Sequence, residues 1–192
     1  MKIPTAPSAG DRAISRRRFI GLGAAALAIP ALSRSVLFGF QSPFSDSKSL
    51  SFYNTHTGEY LSTTYSRSGQ LVPSALQEIN HILRDHRTDE IREIDVRLLD
   101  LLHRLAGEVS CSQPFHIISG YRSKQTNDYL RQRGGGVASG SLHMSGQAVD
   151  IRLPGFCLSD LRKTALALKA GGVGYYPKPD FVHLDIGRVR CW

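Results

Sequence analysis

Two short runs in the C-terminal quarter constrain the fold more than any other part of the chain. They are Ala148-Val149-Asp150-Ile151-Arg152-Leu153 and Phe181-Val182-His183-Leu184-Asp185-Ile186. Each has the length and the β-branched or aromatic character of a strand. Alternation puts Val149 and Ile151 on one face and Asp150 on the other, beside Ala148; in the second run His183 and Asp185 share a face. A carboxylate set between apolar neighbours needs a partner, which is a metal, an arginine or solvent. Taken alone, Asp150 reads equally well as an edge-strand residue paired with Arg152, and His183 as an ordinary strand histidine.

The segment just before the first run adds a third group. His143 lies in Ser141-Leu142-His143-Met144-Ser145, and Gly140 and Gly146 allow sharp turns on both sides. His143, Asp150 and His183 together offer two imidazoles and one carboxylate, a set that suits a catalytic Zn2+ with an open fourth position. Water at such a position is acidified toward neutrality and becomes a nucleophile for amide hydrolysis. Convergence of the three would make the chain a metal-dependent hydrolase. Asp185 either fixes the His183 tautomer or caps the strand end in solvent.

The remaining pattern predicts a mixed α+β architecture. Leu50–Asn54 and Glu59–Tyr65 flank Thr55-His56-Thr57-Gly58 as a hairpin, with His56 exposed at the turn. Pro73-Ser74 opens a helix bearing Leu76, Ile79, Ile82 and Leu83 at helical spacing. A second helix is expected from about Glu90 to Glu108, with Ile91, Ile94, Leu98, Leu99, Leu102 and Leu105 along one stripe. His81, His86 and His103 fall among charged positions and read as solvated. Phe115–Ser119 is a strand, Ser123 caps a helix to Arg133, and Gly134–Gly140 is a lip beside the site. Ser159–Ala170 reads as a last helix, and Gly171–Tyr176 leads into the final strand. No Lys-Ser/Thr follows the triple glycine, so a phosphate loop is excluded. Strands and helices do not alternate regularly, which favours α+β over α/β.

An appendage precedes this domain. Ser15-Arg16-Arg17-Arg18-Phe19-Ile20 and the short apolar stretch Gly21–Leu32 form a basic n-region and an h-region too short to span a bilayer comfortably. The pattern resembles a twin-arginine export signal over 1–33, followed by a linker over 34–48 and the main domain over 49–192. The membrane is then met only in transit, or through this segment as an uncleaved anchor. Five of the 24 basic residues and one of the 16 acidic ones fall in 1–33, leaving 19 and 15, a net charge of +4. No basic run interleaved with aromatics remains, so nucleic acid is not the expected partner. Cys111, Cys157 and Cys191 have no Cys-x-x-Cys spacing; one pair could bridge in an oxidising compartment, and at least one is expected to act as a small buried hydrophobe.

Three motifs carry a family resemblance. Ser141-x-His143-x-x-Gly146-x-Ala148-x-Asp150-Ile151, the downstream Asp180-x-x-His183-x-Asp185, and Ser119-Gly120-Tyr121-Arg122-Ser123 resemble the M15-type zinc DD/LD-peptidases that act on peptidoglycan. The stretch from Gly171 to Trp192 is most similar to the exported branch of that family. The resemblance covers about Leu50 to Trp192, and it implies a small, mainly antiparallel sheet flanked by helices, D-Ala-D-Ala-peptidase/Hedgehog-like. It also implies His143, Asp150 and His183 as zinc ligands, and stem peptides of peptidoglycan as substrate. Arg122 would stabilise the developing oxyanion or bind a substrate carboxylate through its planar fork.

Asp180 holds the family's general-base position, where many relatives carry the longer Glu. It lies an odd number of residues from His183, so a twist near Pro179 has to rotate it toward the metal. Ser141 and Tyr175 are further candidates for substrate contact. The implied activity is a periplasmic murein endopeptidase. Its rivals are a DD- or LD-carboxypeptidase, which would use the same residues, and a non-catalytic wall-binding protein with a structural zinc.

Overall fold

The computed structural model describes residues 46–110, 112–134 and 137–192. The leader, most of the linker, Cys111 and Gly135–Gly136 lie outside the described residues. The elements run β1 (Ser47–Asn54), β2 (Tyr60–Arg67), β3 (Gln70–Leu71), α1 (Pro73–Ile82), α2 (Val96–Val109), β4 (Phe115–Ser119) and α3 (Lys124–Gln132). A 3-10 turn (Leu142–Ser145), β5 (Ala148–Arg152), α4 (Leu158–Ala167), β6 (Gly172–Tyr176), β7 (Phe181–Asp185) and β8 (Arg190–Cys191) follow. The strands form one eight-stranded sheet ordered β3-β2-β1-β4-β5-β7-β6-β8. The pairs β1–β4 and β6–β8 are parallel and the rest antiparallel, so the α+β expectation with a mainly antiparallel sheet holds, in a sheet larger than expected. No helix among the described residues is long and apolar enough to cross a membrane.

The sheet separates the core from the site. Phe52, Ile117, Val149, Ile151, Val182 and Leu184 are fully buried and belong to one hydrophobic cluster with Leu98, Leu99 and Leu102 of α2 and Leu161 of α4. In the register, Ile117 meets Ile151, Ile151 meets Val182, and Val149 meets Leu184. Each such side chain contributes about 1.5–3 kcal/mol on burial. Alternation then sends Asp150, His183 and Asp185 to the opposite face. β5 lies between β4 and β7, which removes the edge-strand reading of Asp150.

Several boundaries differ from expectation. The first strand begins before the predicted Leu50, because Ser47 and Lys48 already pair with Arg67 and Ser66. The second helix begins only at Val96. Ile94 N–H donates to Asn80 Oδ1 (2.9 Å) and Asp95 N–H to the Gly146 carbonyl (3.0 Å), so these backbone donors are used outside a helix. Asp95 then caps α2 by accepting from Arg97 N–H at 3.0 Å. Ile94 remains buried, whereas Ile91 is exposed. β6, rich in glycine, and the short β3 and β8 have no apolar alternation and escape prediction. Cys157 and Cys191 are exposed and unbridged, so neither is a small core residue.

The loop after α1 fixes the segment that carries Arg122. Tyr121 N–H donates to the Leu83 carbonyl at 2.7 Å. Buried Asp85 accepts from Ser123 N–H (2.8 Å) and Arg87 N–H (2.9 Å). Burial raises the Asp85 carboxyl, but the Thr126 hydroxyl and these donors outweigh it and bring it to about 2. A depressed folded-state pKa means stability that is present above pH 4 and lost as pH falls toward 2. Asp85→Ala is therefore expected to cost about 2 kcal/mol or more at neutral pH, the scale of a buried charged hydrogen bond. Denaturant titrations should show the gap between wild type and variant narrowing below pH 4.

Candidate metal centre

His143, Asp150 and His183 converge. β5 and β7 pair with Asp150 directly opposite His183. His143 comes from the 3-10 turn, which ends at Gly146 in a left-handed conformation (φ 67°). A Cβ on Gly146 would stand 2.2 Å from the Glu93 carbonyl oxygen, so both backbone conformation and space require glycine here. His143 and Asp150 are 2% and 6% exposed. His183 Nδ1 lies 2.8 Å from Asp150 Oδ1 and 3.1 Å from His143 Nε2, and His143 Nε2 lies 3.3 Å from the same carboxylate oxygen.

The outer partners fix which nitrogens face inward. His143 Nδ1 is 2.8 Å from the Gly120 carbonyl, which can only accept, so the ring proton belongs on Nδ1. His183 Nε2 is 3.1 Å from Asp185 Oδ2, which places its proton on Nε2. Two imidazole lone pairs and a carboxylate oxygen then point at one another within 3.3 Å. Only a cation or an extra proton relieves that repulsion, and the chemistry of the donors fits a metal ion. Burial by itself raises the Asp150 carboxyl, and the two imidazoles overcome this and hold it below the ordinary range. Burial lowers His183, yet its hydrogen bonds to Asp150 and Asp185 leave it raised.

Asp185 is fully buried and serves as the outer support. It accepts from His183 Nε2, from Gly172 N–H (3.0 Å) and Gly187 N–H (2.8 Å), and from the Arg190 fork at 3.1 and 2.7 Å. Those donors fill the lone-pair sites of a carboxylate, so Asp185 orients His183 and has no capacity left to carry a proton. Arg122 is 9% exposed, and its Nη2 is 3.6 Å from Asp150 Oδ2 and 3.4 Å from Ser119 Oγ. Its Nε has no hydrogen-bond partner among the described residues. Burial lowers its pKa without threatening its charge.

Asp180 is not brought to the cluster. Its left-handed backbone (φ 59°) supplies the expected break in alternation, but the exposed carboxylate stands over Arg152, with Oδ2 3.4 Å from Nη1. Arg152 follows Asp150 on the same face, one side-chain repeat of about 6.6 Å along β5. Ser141 lines the cavity above the cluster; Tyr175 instead packs toward the core under Arg162, and its neighbour Tyr176 takes the cavity position. Of the segment expected as a lip, Val137, Ala138 and Gly140 line the cavity, and Gly135 and Gly136 lie outside the described residues. His56 and His86 are not part of the cluster and stack on each other with rings 3.8 Å apart, and burial lowers His86 to about 4, so it is less solvated than its sequence context implies. Arg190 and Trp192 also line the cavity. No spacing rule reveals them, because they reach it through the two-residue strand β8.

Comparison with known proteins places this geometry. The family described as peptidoglycan L,D-endopeptidase MepK, within the M15 peptidases, matches residues 42–192. The chain belongs to that family. It is 40% identical over 178 residues to the peptidoglycan L,D-endopeptidase MepK of Escherichia coli K12, covering 93% of this chain and 97% of the relative. The MepK of Shigella flexneri matches to the same extent. The probable peptidoglycan L,D-endopeptidase MepK of Haemophilus influenzae is 35% identical over 179 residues, covering 93% and 95%. The M15 peptidases are metal-dependent, and among the described residues the His–Asp–His cluster can hold a metal ion.

His143→Ala and His183→Ala are each expected to abolish metal binding by the folded domain, measured by metal analysis after dialysis. Asp185→Ala should weaken it about 10–100-fold, the usual worth of an outer partner. Protons and metal compete for the same nitrogens. Because His183 is raised, loading should fall as pH drops through the histidine range and return when pH is restored.

Proposed function

We propose that the protein is a zinc-dependent murein endopeptidase of the periplasm, hydrolysing amide bonds between L- and D-configured centres in peptidoglycan cross-links. The inward-facing donor set of His143 Nε2, Asp150 Oδ1 and His183 Nδ1 is the observation that carries this reading. Two imidazoles and a carboxylate suit zinc, whereas magnesium and calcium prefer all-oxygen sites. A zinc ion held there supplies Lewis acidity, which polarises the scissile carbonyl and acidifies water.

The chain's own residues do the rest. Arg122 is a fixed, buried cation whose Nε–H lacks a protein partner among the described residues, and its planar fork is suited to a developing oxyanion or a substrate carboxylate. Asp180 is the proton carrier in this proposal. Its left-handed backbone breaks the strand alternation, and its exposed carboxylate has to release Arg152 to act at the metal site. A purely structural zinc closes with four protein ligands; among the described residues this cluster has three and lines a cavity, which favours catalysis over a wall-binding role. The names of the relatives favour cross-link cleavage over trimming of stem ends. Peptidoglycan lies outside the inner membrane, and the Arg16-Arg17 leader supplies a twin-arginine route to it.

Purified sacculi incubated with the zinc-loaded protein should release muropeptides cut at L–D amides, and a chelator should stop the release; intact cross-links by mass analysis would refute the activity. Asp180→Asn is expected to retain zinc and lose about 10²–10⁴-fold in turnover. Near-normal turnover would remove Asp180 from the mechanism. Replacing Arg16 and Arg17 with Lys should leave the protein in the cytoplasm, as cell fractionation would reveal.

A further inference from the structure

The cavity over the cluster has a volume of about 260 Å³ and an uneven lining. The three donors, Arg122, Asp185 and Arg190 supply its charged groups, and Tyr176, Phe181 and Trp192 make an aromatic wall. Tyr176 and Phe181 stack with ring centroids 4.6 Å apart. Trp192 Nε1–H donates to the Tyr176 hydroxyl at 2.8 Å, and the indole centroid is 5.2 Å from that of His183.

Trp192 is 46% exposed, so burial does not explain how firmly it is held. Its carbonyl accepts from Tyr175 N–H (3.0 Å) and its N–H donates to the Val173 carbonyl (3.3 Å). The Arg190 guanidinium lies 4.8 Å from the indole ring. Gly174 forms the seat: a Cβ there would come within 2.8–2.9 Å of three indole atoms. A large flat ring fixed in one orientation at a cavity has already lost the freedom that binding would otherwise remove. It offers an apolar face to whatever enters.

We infer that Trp192, seated on Gly174 and braced by Arg190 and Tyr176, is a substrate-positioning residue: the platform for the aliphatic part of the stem-peptide residue flanking the scissile amide. The inference rests on the peptidoglycan reading above. Its proximity to a metal-ligand ring selects the peptide over the sugars, because groups this close to His183 adjoin the reacting bond. The glycan strand lies further along the stem.

Trp192 is the sole tryptophan of the chain, so intrinsic fluorescence reports on this site alone. Titrating the zinc-loaded full chain with the soluble peptidoglycan tetrapeptide should give a saturable change in emission, and the peptide-free disaccharide of N-acetylglucosamine and N-acetylmuramic acid should give none. On cross-linked muropeptides, Trp192→Ala should raise KM about tenfold with kcat within about threefold, as loss of uniform binding predicts. Trp192→Phe should restore most of it. Gly174→Ala should reproduce the KM defect with the indole present but displaced. A flat titration with unchanged KM overturns the inference, as does a response to the disaccharide alone. Loss of zinc by both Trp192→Ala and Trp192→Phe also overturns it, since Trp192 would then be a brace for His183. A saturable peptide response without any cleavage by wild type keeps the platform and defeats the endopeptidase reading.

Discussion

The structure depends on one electrostatic conflict: two imidazole lone pairs and a carboxylate oxygen directed at the same point. Its geometry is imposed from outside the cluster. The Gly120 carbonyl holds one ring and the Asp185 carboxylate the other, so neither histidine can turn its N–H inward without giving up a buried hydrogen bond. That exchange would cost about 1–3 kcal/mol per unsatisfied group. The fold thus keeps the three donors in the arrangement a cation needs, and the cation's binding energy is not diverted into moving them.

The outer supports are themselves anchored by unrelated parts of the chain. Gly120 follows β4 and is locked by Tyr121 to the end of α1. Asp185 is held by backbone N–H groups on both sides of β7 and by Arg190 from β8. The 3-10 turn carrying His143 is tied through Gly146 to the segment preceding α2. Each donor therefore reports on a different region, which explains why residues far apart in sequence serve one small site.

Much of this was legible in the sequence where side-chain chemistry and period coincide. Asp150 and His183 sit in runs whose alternation sets both their face and the opposing core, and Ser123 accepts from Thr126 N–H as a cap should. What was hidden has a common cause. The start of α2 at Val96, the strand character of Gly172–Tyr176 and the position of Trp192 depend on long-range backbone partners, which local pattern does not encode. Tyr175 and Tyr176 illustrate the limit: both are plausible near the site, and only the register of β6 against β7 assigns one to the core and the other to the cavity. Asp180 is the converse. Its spacing demanded a break in the strand, and the break is present, yet the partner of the freed carboxylate, Arg152, was not predictable from spacing.

The pairing of Asp150 directly opposite His183 has a consequence for how the protein comes to possess its chemistry. A slip of one residue between β5 and β7 would turn one strand's apolar pair, Val149 and Ile151 or Val182 and Leu184, out of the core in the same movement that separates the ligands. Hydrolytic competence and correct burial are thus a single event. A half-folded or misregistered chain has no metal site to act with, so the fold acts as its own proofreader: a protein able to cut a covalent network gains that ability only once its sheet is correctly assembled.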